Sequence, residues 1–479
     1  MSVTILPTIL AALLAVQVHS FGLTVFQEIY REYKKQGIPF REDPWLGNKQ
    51  IYETYDFIVV GAGPGGATVA GRLSEVEDWN VLVLEAGKDE SIYTDIPALA
   101  SYLFFTDYNW ATPRRNATTS KGMGGGSIIN YMIYTRGNRK DFDDYEKAGN
   151  TGWGWDDVLP YYLKSEKTSI RKFKDSPNHS TTGKLHVGYA GRELGYDEVD
   201  YTNSTPIGVS RVQTTILKSR RCSASKAYLK PVKHRRNLHV SIESRVTKVL
   251  IDPTTKKAIG VEFVKNRKRR TVMARKEVIL AAGALNTPQL LMLSGVGPKE
   301  HLEELGIKPV IQNLRVGENL NEHWTFAGLT FLVNETGLTI NEEVLVEGIK
   351  AAVKFAETRA FKRFGSRLFE MRIPGCPHAF GTDEYWRCAL KYLMYTLHHQ
   401  SGTCKMGPRS DPTAVVNPQL QVHGIQSLRV CDSSIFPQLP TAHTYAPTVM
   451  VGEKLADMIK EAFYLTTHFC IYKLVHVVH

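Results

Sequence analysis

From residue 55 onward, short apolar runs alternate with glycine-rich turns. An apolar run at residues 57–60 leads into the motif Gly61-x-Gly63-x-x-Gly66, and helix-forming residues follow at 67–73. A second apolar run, residues 81–84, ends on the acid Glu85. Apolar runs of this length bounded by glycine are typical of buried strands. The pattern therefore predicts a strand–turn–helix–strand unit.

The middle of the chain continues this pattern and then changes to helical spacing. Strands are predicted at residues 239–242, 246–251, 260–264 and 277–280, and short helices at 288–293 and 301–305, before Gly306. A further helix is predicted from the one-sided spacing of Leu345, Ile349, Ala352, Val353 and Ala356. Together these elements indicate an α/β fold.

The first glycine motif has the strand, helix and acid that a dinucleotide-binding turn requires. Gly61 permits the tight turn, Gly63 lets the backbone approach a pyrophosphate, and Gly66 lets helix and strand pack closely. Free N–H groups at the helix start would face the phosphates, and Glu85 lies at about the ~20-residue offset from which an acid binds a ribose. The alternative, an ordinary glycine-rich turn, leaves the position of Glu85 unexplained.

A second glycine-rich loop lies at residues 121–127 and includes Gly124, Gly125 and Ser127. Clustered backbone N–H groups without side chains bind anions and permit the close approach of a flat ligand. Alone, the loop could be a flexible turn. Beside the first motif, it indicates that one ligand contacts both loops.

Histidines toward the C-terminal end are the candidates for chemistry. His398 and His399 precede the turn at Gly402, and His443 follows later. None has metal-ligand spacing, and a histidine that titrates near neutral pH is a common proton acceptor for an alcohol. We therefore interpret them as acid–base groups. The alternative for any one of them is a surface histidine or a hydrogen-bonded core residue.

Length, charge and cysteine content narrow the class of protein. A chain of 479 residues with 43% hydrophobic residues is long enough for two or more globular domains. Its net charge of +11 is concentrated at residues 233–236 and 265–270, without the interleaved aromatic residues that stack on bases, so no nucleic-acid partner is expected. The six scattered cysteines do not form a disulfide scaffold, although Cys376 and Cys388 could pair locally.

The N-terminal segment indicates export. Residues 5–18 form an apolar run of signal-peptide length, too short to span a bilayer, and we interpret residues 1–20 as a signal peptide. A signal anchor or a chance composition is the alternative. Glycosylation sequons agree with a secreted, extracellular protein, and they begin at Asn116, Asn178, Asn203 and Asn334. No transmembrane span is predicted.

These segments together resemble the glucose–methanol–choline (GMC) flavin oxidoreductases, and within them the insect FAD-dependent, quinone-reducing glucose dehydrogenases. The resemblance is collinear from about Tyr55 to Lys460. Its most diagnostic part is residues 283–298, which match a family signature almost residue for residue, and residues 130–138 and 402–407 also match.

The resemblance implies a Rossmann-like FAD-binding domain, a mixed sheet with helices, joined to a truncated antiparallel-sheet substrate domain. It implies oxidation of a CH–OH group of a sugar or alcohol, with hydride passed to flavin N5, His399 accepting the hydroxyl proton, and electrons passed to quinone or oxygen. It also implies the residues that contact FAD: Gly61, Gly63, Gly66, Glu85, Gly124, Gly125, Ser127, Asn130, Val246, Asp432 and Thr448.

The same resemblance divides the chain into segments. The FAD-binding domain takes residues 52–140, 230–324 and 392–462, the substrate domain takes 141–229 and 325–391, and a tail follows at 463–479. The tail is apolar and could be a final strand, a membrane-surface segment or a read-through remnant.

The chain departs from the family pattern at four places. The second active-site position, usually Asn or His, aligns with Tyr445, and His443 is the alternative partner of His399. The chain is shorter than the pattern between residues 110 and 121, near 187–190, and most of all at residues 340–341, where much of the substrate-domain sheet is missing. Loss of strands is expected to leave apolar faces and unpaired edges.

Two hypotheses follow from these departures. The first is a secreted, FAD-dependent dehydrogenase of the glucose dehydrogenase type. The second is a catalytically impaired flavin-binding protein, or the product of an incomplete splice form or gene model. An NAD-dependent enzyme is less well supported, because nothing else in the chain marks a nicotinamide site.

Overall fold

The computed structural model describes residues 51–104, 106–110, 119–189, 212–312, 315–326, 346–347, 349–350, 353–354 and 373–475. The predicted signal peptide, three of the four sequons and the junction at residues 340–341 lie outside them. So do six of the twelve residues from Leu345 to Ala356, where a helix is predicted.

The strands follow in chain order: β1 (Thr54–Val60), β2 (Val81–Leu84), β3 (Glu166–Thr168), β4 (Leu185–Tyr189), β5 (Gln213–Thr214), β6 (Ile216–Leu217), β7 (Arg220–Arg221), β8 (Leu238–Ser241), β9 (Ser244–Ile251), β10 (Ala258–Lys265), β11 (Lys268–Leu280), β12 (Val296–Gly297), β13 (Ile311–Gln312), β14 (Trp324–Phe326), β15 (Met394–Thr396) and β16 (Leu428–Val430). The α-helices are α1 (Pro64–Leu73), α2 (Ile92–Asp95), α3 (Ala100–Leu103), α4 (Arg139–Lys147), α5 (Trp155–Ser165), α6 (Asn286–Leu293), α7 (Lys299–Glu304), α8 (Asp383–Leu393) and α9 (Tyr445–Val475).

A mixed sheet forms the centre of the fold. Strands β8, β2, β1, β11 and β16 lie side by side and parallel, and the first half of β11 pairs antiparallel with β10, which pairs with β9. The strands predicted at 57–60, 81–84, 239–242, 246–251 and 260–264 are confirmed to within three residues. Residues 277–280 are only the end of β11, which begins nine residues earlier than predicted, at Lys268. Because the parallel strands end at one edge, the turns that follow them form the wall of a crevice, where ligands bind in open α/β sheets.

The strands of this sheet are apolar because both faces are covered. All four residues of β2 are buried, as are the last six of β1. Helix α1 covers one face and places its small residues against the strands. Parallel strands buried on both faces are typically continuous apolar runs, and this explains why the sequence pattern located them.

The long C-terminal helix α9 excludes one of the alternatives considered for the tail. The first tail residues belong to this helix, and Phe463 packs its ring 5.7 Å from that of Phe57 and 6.1 Å from that of Trp79. A final strand at this position is therefore wrong. Within the residues that the structure covers, no helix combines the length and apolar character needed to cross a membrane.

Smaller elements lie outside the central sheet. Strands β3, β4 and β5 form one sheet, and β14 pairs antiparallel with β15. A separate apolar cluster consists of Val346, Ile349, Ile373, Tyr385, Trp386, Ala389 and Leu390. Beside it, the disulfide between Cys376 and Cys388 confirms the local pairing considered from the sequence. Trp324 and Tyr392 are 45% and 58% exposed, which agrees with an incompletely covered apolar face.

Candidate active site

A cavity of about 1080 Å³ opens at the carboxyl edge of the central sheet. Its walls are the turns after β1, β2 and β11, the loop at residues 119–133, and the histidine segments at 396–400 and 443–445. Typical sites for drug-sized ligands measure ~300–1,000 Å³. The cavity is thus large enough for a ligand of dinucleotide size.

The first glycine motif forms one end of this cavity. Gly61 has φ +102°, and a Cβ there would lie 2.3 Å from the carbonyl oxygen of Ala281. A Cβ on Gly66 would lie 2.0 Å from the carbonyl oxygen of Gly61, so helix and turn pack closely. At Gly63 the nearest atom to an added Cβ is 3.8 Å away, which leaves the backbone open to the cavity. Helix α1 starts here without a side-chain cap, so its first N–H groups are available to an anion.

Glu85 lines the cavity and also holds the turns around it. Its Oε2 accepts a hydrogen bond from the backbone N–H of Ala62 at 2.9 Å, and its Oε1 accepts one from Gly87 at 2.8 Å. The side chain is 7% exposed, and burial raises the pKa of its carboxyl group. The sequence predicted only a ribose contact for this acid. The structure adds a second role, the bracing of two backbone turns.

The second glycine loop lies directly against the first. A Cβ on Gly125 would lie 2.6 Å from the Cα of Gly63, so the two backbones touch. Ser127 donates its hydroxyl to the carbonyl of Gly124 at 2.6 Å and accepts from the N–H of Ala224 at 2.9 Å. The expectation that one ligand contacts both loops fits this arrangement, because both face the same cavity.

Sequence reasoning missed Arg221, which orients the loop after Ser127. Its guanidinium is 1% exposed, and Nη1 donates to Asn130 Oδ1 at 2.6 Å and to the carbonyl of Ser127 at 3.1 Å. No described carboxylate forms an ion pair with it, and burial lowers its pKa to about 10. No sequence signal separated Arg221 from the other basic residues of the chain.

Three further predicted contacts lie at different points of the cavity wall. Asp432 accepts from the Gly283 N–H at 2.9 Å and from the Thr287 hydroxyl at 2.6 Å through Oδ2, and caps the next turn through Oδ1. Thr448 donates to the carbonyl of Thr444 at 2.7 Å, and Val246 lines the wall from β9. Of the predicted cofactor residues, Gly66 and Gly124 are the two that support the wall without lining it.

Three histidines form a hydrogen-bonded row at the other end of the cavity. His399 occupies the middle: its Nε2 lies 3.0 Å from Nδ1 of His443, and its Nδ1 lies 2.9 Å from Nδ1 of His323. The rings are nearly perpendicular, at 89° and 83°. His399 and His443 line the cavity, whereas His323 lies behind His399. The sequence identified the first two and missed His323.

An antiparallel pairing of two distant segments sets this row. β14 pairs with β15, and Asn321 pairs with Ser401 beyond the end of the strands. Glu322 Oε1 accepts from the backbone N–H of His399 at 2.6 Å and of His323 at 3.0 Å. Gly402, at φ +84°, has no room for a Cβ, which would lie 2.3 Å from the carbonyl oxygen of Asn319.

Burial keeps the three histidines neutral. It lowers the pKa of His443 and of His323 to about 4, and it lowers the pKa of His399 well below its usual range. His398, which also lines the cavity and whose ring centroid lies 5.0 Å from that of Phe104, has a lowered pKa for the same reason. Neutral imidazoles retain lone pairs that can accept a proton.

Tyr445 does not take the position considered for it. Its hydroxyl donates to the backbone carbonyl of Cys222 at 3.2 Å, and burial raises its pKa well above the usual range. The residue begins α9, so its backbone is helical rather than in the extended turn assumed from the sequence. The hydroxyl is therefore engaged away from His399, and His443 is the neighbour of His399.

FAD, the cofactor implied by the resemblance, fits the donor groups of this cavity. The uncapped N-terminus of α1 and the open backbone at Gly63 suit a pyrophosphate, and a second helix, α9, also begins at the wall. Asn109 lines the cavity, and its buried Oδ1 has no hydrogen-bond partner among the described residues. Across the described residues, no cluster of His, Cys, Asp or Glu is arranged to hold a metal ion.

Comparison with protein families identifies two matching models, both described as GMC oxidoreductase. The N-terminal model matches residues 55–325, and the C-terminal model matches residues 333–452. A similar curated protein is the glucose dehydrogenase [FAD, quinone] of Drosophila pseudoobscura pseudoobscura, 34% identical over 88% of this chain and 88% of its own length. Another is the oxygen-dependent choline dehydrogenase of Sinorhizobium fredii, 30% identical over 84% of this chain and 95% of its own.

Alignment length shows how this chain differs from the Drosophila relative. The alignment spans 561 positions, whereas 88% of 479 residues is about 420, so about 140 positions have no residue of this chain. Among solved structures, the pyridoxine 4-oxidase of Mesorbium loti matches with a TM-score of 0.75 at 24% identity, covering 85% of this chain and 99% of that one. That likeness shows a shared fold.

Proposed function

The chain belongs to the GMC oxidoreductase family, and we propose that it is an FAD-dependent enzyme that oxidises the CH–OH group of a sugar or alcohol. One observation carries this proposal: a pair of neutral histidines, His399 and His443, lies in the same cavity as two touching glycine loops. The loops suit a dinucleotide, and the pair suits removal of a hydroxyl proton.

The two ends of the cavity divide the work. The uncapped start of α1, the loop at Gly125 and the wall at Asp432 would hold FAD, and Glu85 keeps the turns at their spacing. When bound there, FAD supplies an acceptor for the hydride that leaves the alcohol carbon. The remaining requirement, a base for the hydroxyl proton, falls to the protein.

His399 is the proposed proton acceptor. Its Nε2 lies 3.0 Å from Nδ1 of His443, and the two rings share one hydrogen bond. A substrate hydroxyl that inserts between them replaces this bond, and it then meets the lone pair of one ring and the N–H of the other. The N–H of one ring can hold the substrate oxygen while the lone pair of the other receives the proton. A positioned acid–base group of this kind typically contributes ~10²–10⁴-fold to the rate.

The proposed substrate class and the proposed electron acceptor are both inferred from the relatives. The Drosophila relative is named for glucose, FAD and quinone, and the bacterial relative for choline and oxygen. We propose a sugar or alcohol substrate and quinone or oxygen as acceptor. We also propose secretion, because the N-terminal apolar run and the Cys376–Cys388 disulfide are both typical of exported proteins.

The visible spectrum of the purified protein tests this function. Bound flavin is expected to give its two oxidised absorption bands, and anaerobic addition of sugars and primary alcohols is expected to bleach them. Dithionite serves as the positive control for bleaching. A protein without flavin, or with flavin bleached by dithionite but by no alcohol, would contradict the proposal. The latter outcome favours a catalytically impaired flavin-binding protein, for which the internal shortening relative to the Drosophila relative provides a reason.

A further inference from the structure

His323 has no part in the function proposed above, although it contacts the proposed base. It lies outside the cavity lining, behind His399, and its Nδ1 is 2.9 Å from His399 Nδ1. Only one of these two nitrogens can carry the shared proton. The contact therefore fixes how the protons of His399 and His323 are arranged, and it links the cavity to a residue outside it.

His323 has more contact with solvent than His399 has. His399 is 8% exposed, whereas His323 is half-buried. Its Nε2 has no hydrogen-bond partner among the described residues. It is not one of the fully buried polar atoms without a partner, so this nitrogen keeps some contact with solvent. A proton that reaches His323 can thus leave to solvent, whereas a proton on His399 is enclosed.

We propose that His323 is a proton relay, which carries the substrate's hydroxyl proton from His399 to solvent. The substrate O–H bond breaks and an N–H bond forms at His399 Nε2. The Nδ1–H of His399 then passes to Nδ1 of His323, and His323 releases its own Nε2 proton to water. One proton enters the row and one leaves it, and both histidines end neutral. The relay rests on the proposed function.

Return of the row to its starting state follows from the second half of the reaction. Quinones and oxygen take up protons when they are reduced. A proton taken from His399 Nε2 at that stage is replaced through His323 Nδ1, and His323 takes one from water. The two half-reactions therefore move one proton out and one proton in along the same path.

Surrounding charges do not trap the proton on the way. Glu322 contacts the row through Oε1, which accepts from the backbone N–H groups of His323 and His399. Neither ring has an ion-pair partner among the described residues. The other titratable groups around the row are His398, His443 and Tyr445. Burial lowers the pKa of His323 to about 4, so a proton there is released readily at neutral pH.

Two substitutions at residue 323 separate a relay from a positioning role. In His323→Asn, Oδ1 can accept the His399 Nδ1–H, but an amide cannot take up and pass on the proton. His323→Ala removes both abilities and leaves space for free imidazole. With the FAD-loaded, full-length enzyme, both variants are expected to turn over about 10–100-fold more slowly. Added imidazole is expected to restore most of the rate to the alanine variant.

His301→Asn is the matched control, because His301 is exposed on α7 and does not line the cavity. This variant is expected to keep the wild-type turnover rate, and added imidazole is expected to leave that rate unchanged. Wild-type turnover in His323→Asn would overturn the relay and leave a positioning role. So would an alanine variant that imidazole does not rescue.

A titration followed by NMR of [¹⁵N]histidine-labelled protein tests the relay without reference to activity. As the pH is lowered, His323 is expected to become protonated before His399, and the signal of the shared N–H is expected to vanish in His323→Ala. Protonation of His399 first would overturn the relay. If the wild-type flavin is not bleached by any alcohol, the proposed function fails by itself, and the titration still decides whether His323 is protonated more readily than His399.

Discussion

The two ends of the cavity differ in how their polar groups are bonded. At the cofactor end, Glu85 and Asp432 bond to backbone N–H groups and hydroxyls of the protein itself. At the histidine end, His399 bonds through its ring to two other histidines. Carboxylates braced by the backbone are fixed in place. A ring that takes up a proton at one nitrogen can pass the proton of its other nitrogen to the next ring.

The wall at Glu85 and Asp432 is therefore called the fixed wall, and the wall at His399 the reactive wall. The fixed wall positions a ligand, and its groups are held before the ligand arrives, which is favourable for binding. The reactive wall changes its protonation during a turnover, so its groups need partners that can change with it. Substitutions at the two ends are accordingly expected to fail in different ways.

The largest expected effect is at His399. His399→Ala removes the proposed base and should slow flavin reduction by substrate about 10²–10⁴-fold. FAD should remain bound, because the glycine loops are untouched. Stopped-flow absorbance measures the rate, and the flavin-to-protein ratio measures retention. Reduction at the wild-type rate would remove His399 from the proposed role.

A matched glycine pair tests the cofactor end. Gly66→Ala places a Cβ 2.0 Å from a backbone oxygen and should destabilise the fold by about 1–3 kcal/mol or more. Gly63→Ala meets no protein atom within 3.4 Å and should leave the apoprotein stable, while FAD binds at least about tenfold more weakly, ~1.4 kcal/mol. Chemical denaturation and FAD titration separate the two. Equal FAD affinity in Gly63→Ala and wild type would show that no ligand approaches there.

Stability should depend on pH through the histidine end. The folded pKa values of His323 and His443 are about 4, below the ~6.5 of the unfolded chain. Below pH 6.5 the unfolded chain takes up protons that the folded protein refuses, so stability falls as pH drops toward 4. Each such histidine contributes up to about 1.4 kcal/mol per pH unit.

Removal of one histidine sharpens this test. In His443→Gln, the unfolding free energy should fall less between pH 6.5 and 4 than it does in the wild type. The difference should equal the contribution of one histidine. Urea denaturation at several pH values measures it. An unchanged pH dependence would mean that His443 titrates normally in the folded protein.

The smallest effect is expected at Tyr445. Its hydroxyl bonds to the Cys222 carbonyl, so Tyr445→Phe should cost about 1 kcal/mol of stability. Turnover should stay within about threefold of wild type, because no proton of the reaction passes through that hydroxyl. A loss of tenfold or more in kcat at unchanged stability would return Tyr445 to the acid–base machinery.

Local signals predicted the cofactor end well. The strands before Gly61 and Glu85 are continuous apolar runs, and the glycine spacing places them at one edge of the sheet. What the spacing could not show is that Glu85 also bonds to the N–H groups of Ala62 and Gly87. That bonding depends on how two turns meet in space, which is not a property of either turn alone.

The histidine end was harder to predict because it is built from distant segments. His323 meets His399 because β14 pairs with β15 and Asn321 pairs with Ser401. No local periodicity encodes such a long-range pairing. Tyr445 was assigned an extended turn, although Pro447, in the first turn of α9, is typical of a helix start. That error placed the tyrosine hydroxyl near the substrate instead of at Cys222.

The pairing of β14 with β15 has a consequence for how such a chain can change in length. Phe326 and Met394 lie opposite each other in the β14–β15 pair. The chain therefore leaves the histidine row and returns to it at neighbouring positions. If residues are gained or lost between 327 and 393, the two ends of that segment are still held side by side by the β14–β15 pairing. Segments whose ends are close in space accept insertion and deletion readily. Insertions or deletions in that segment therefore leave the positions of the histidines unchanged, and a shortened family member can keep the row intact.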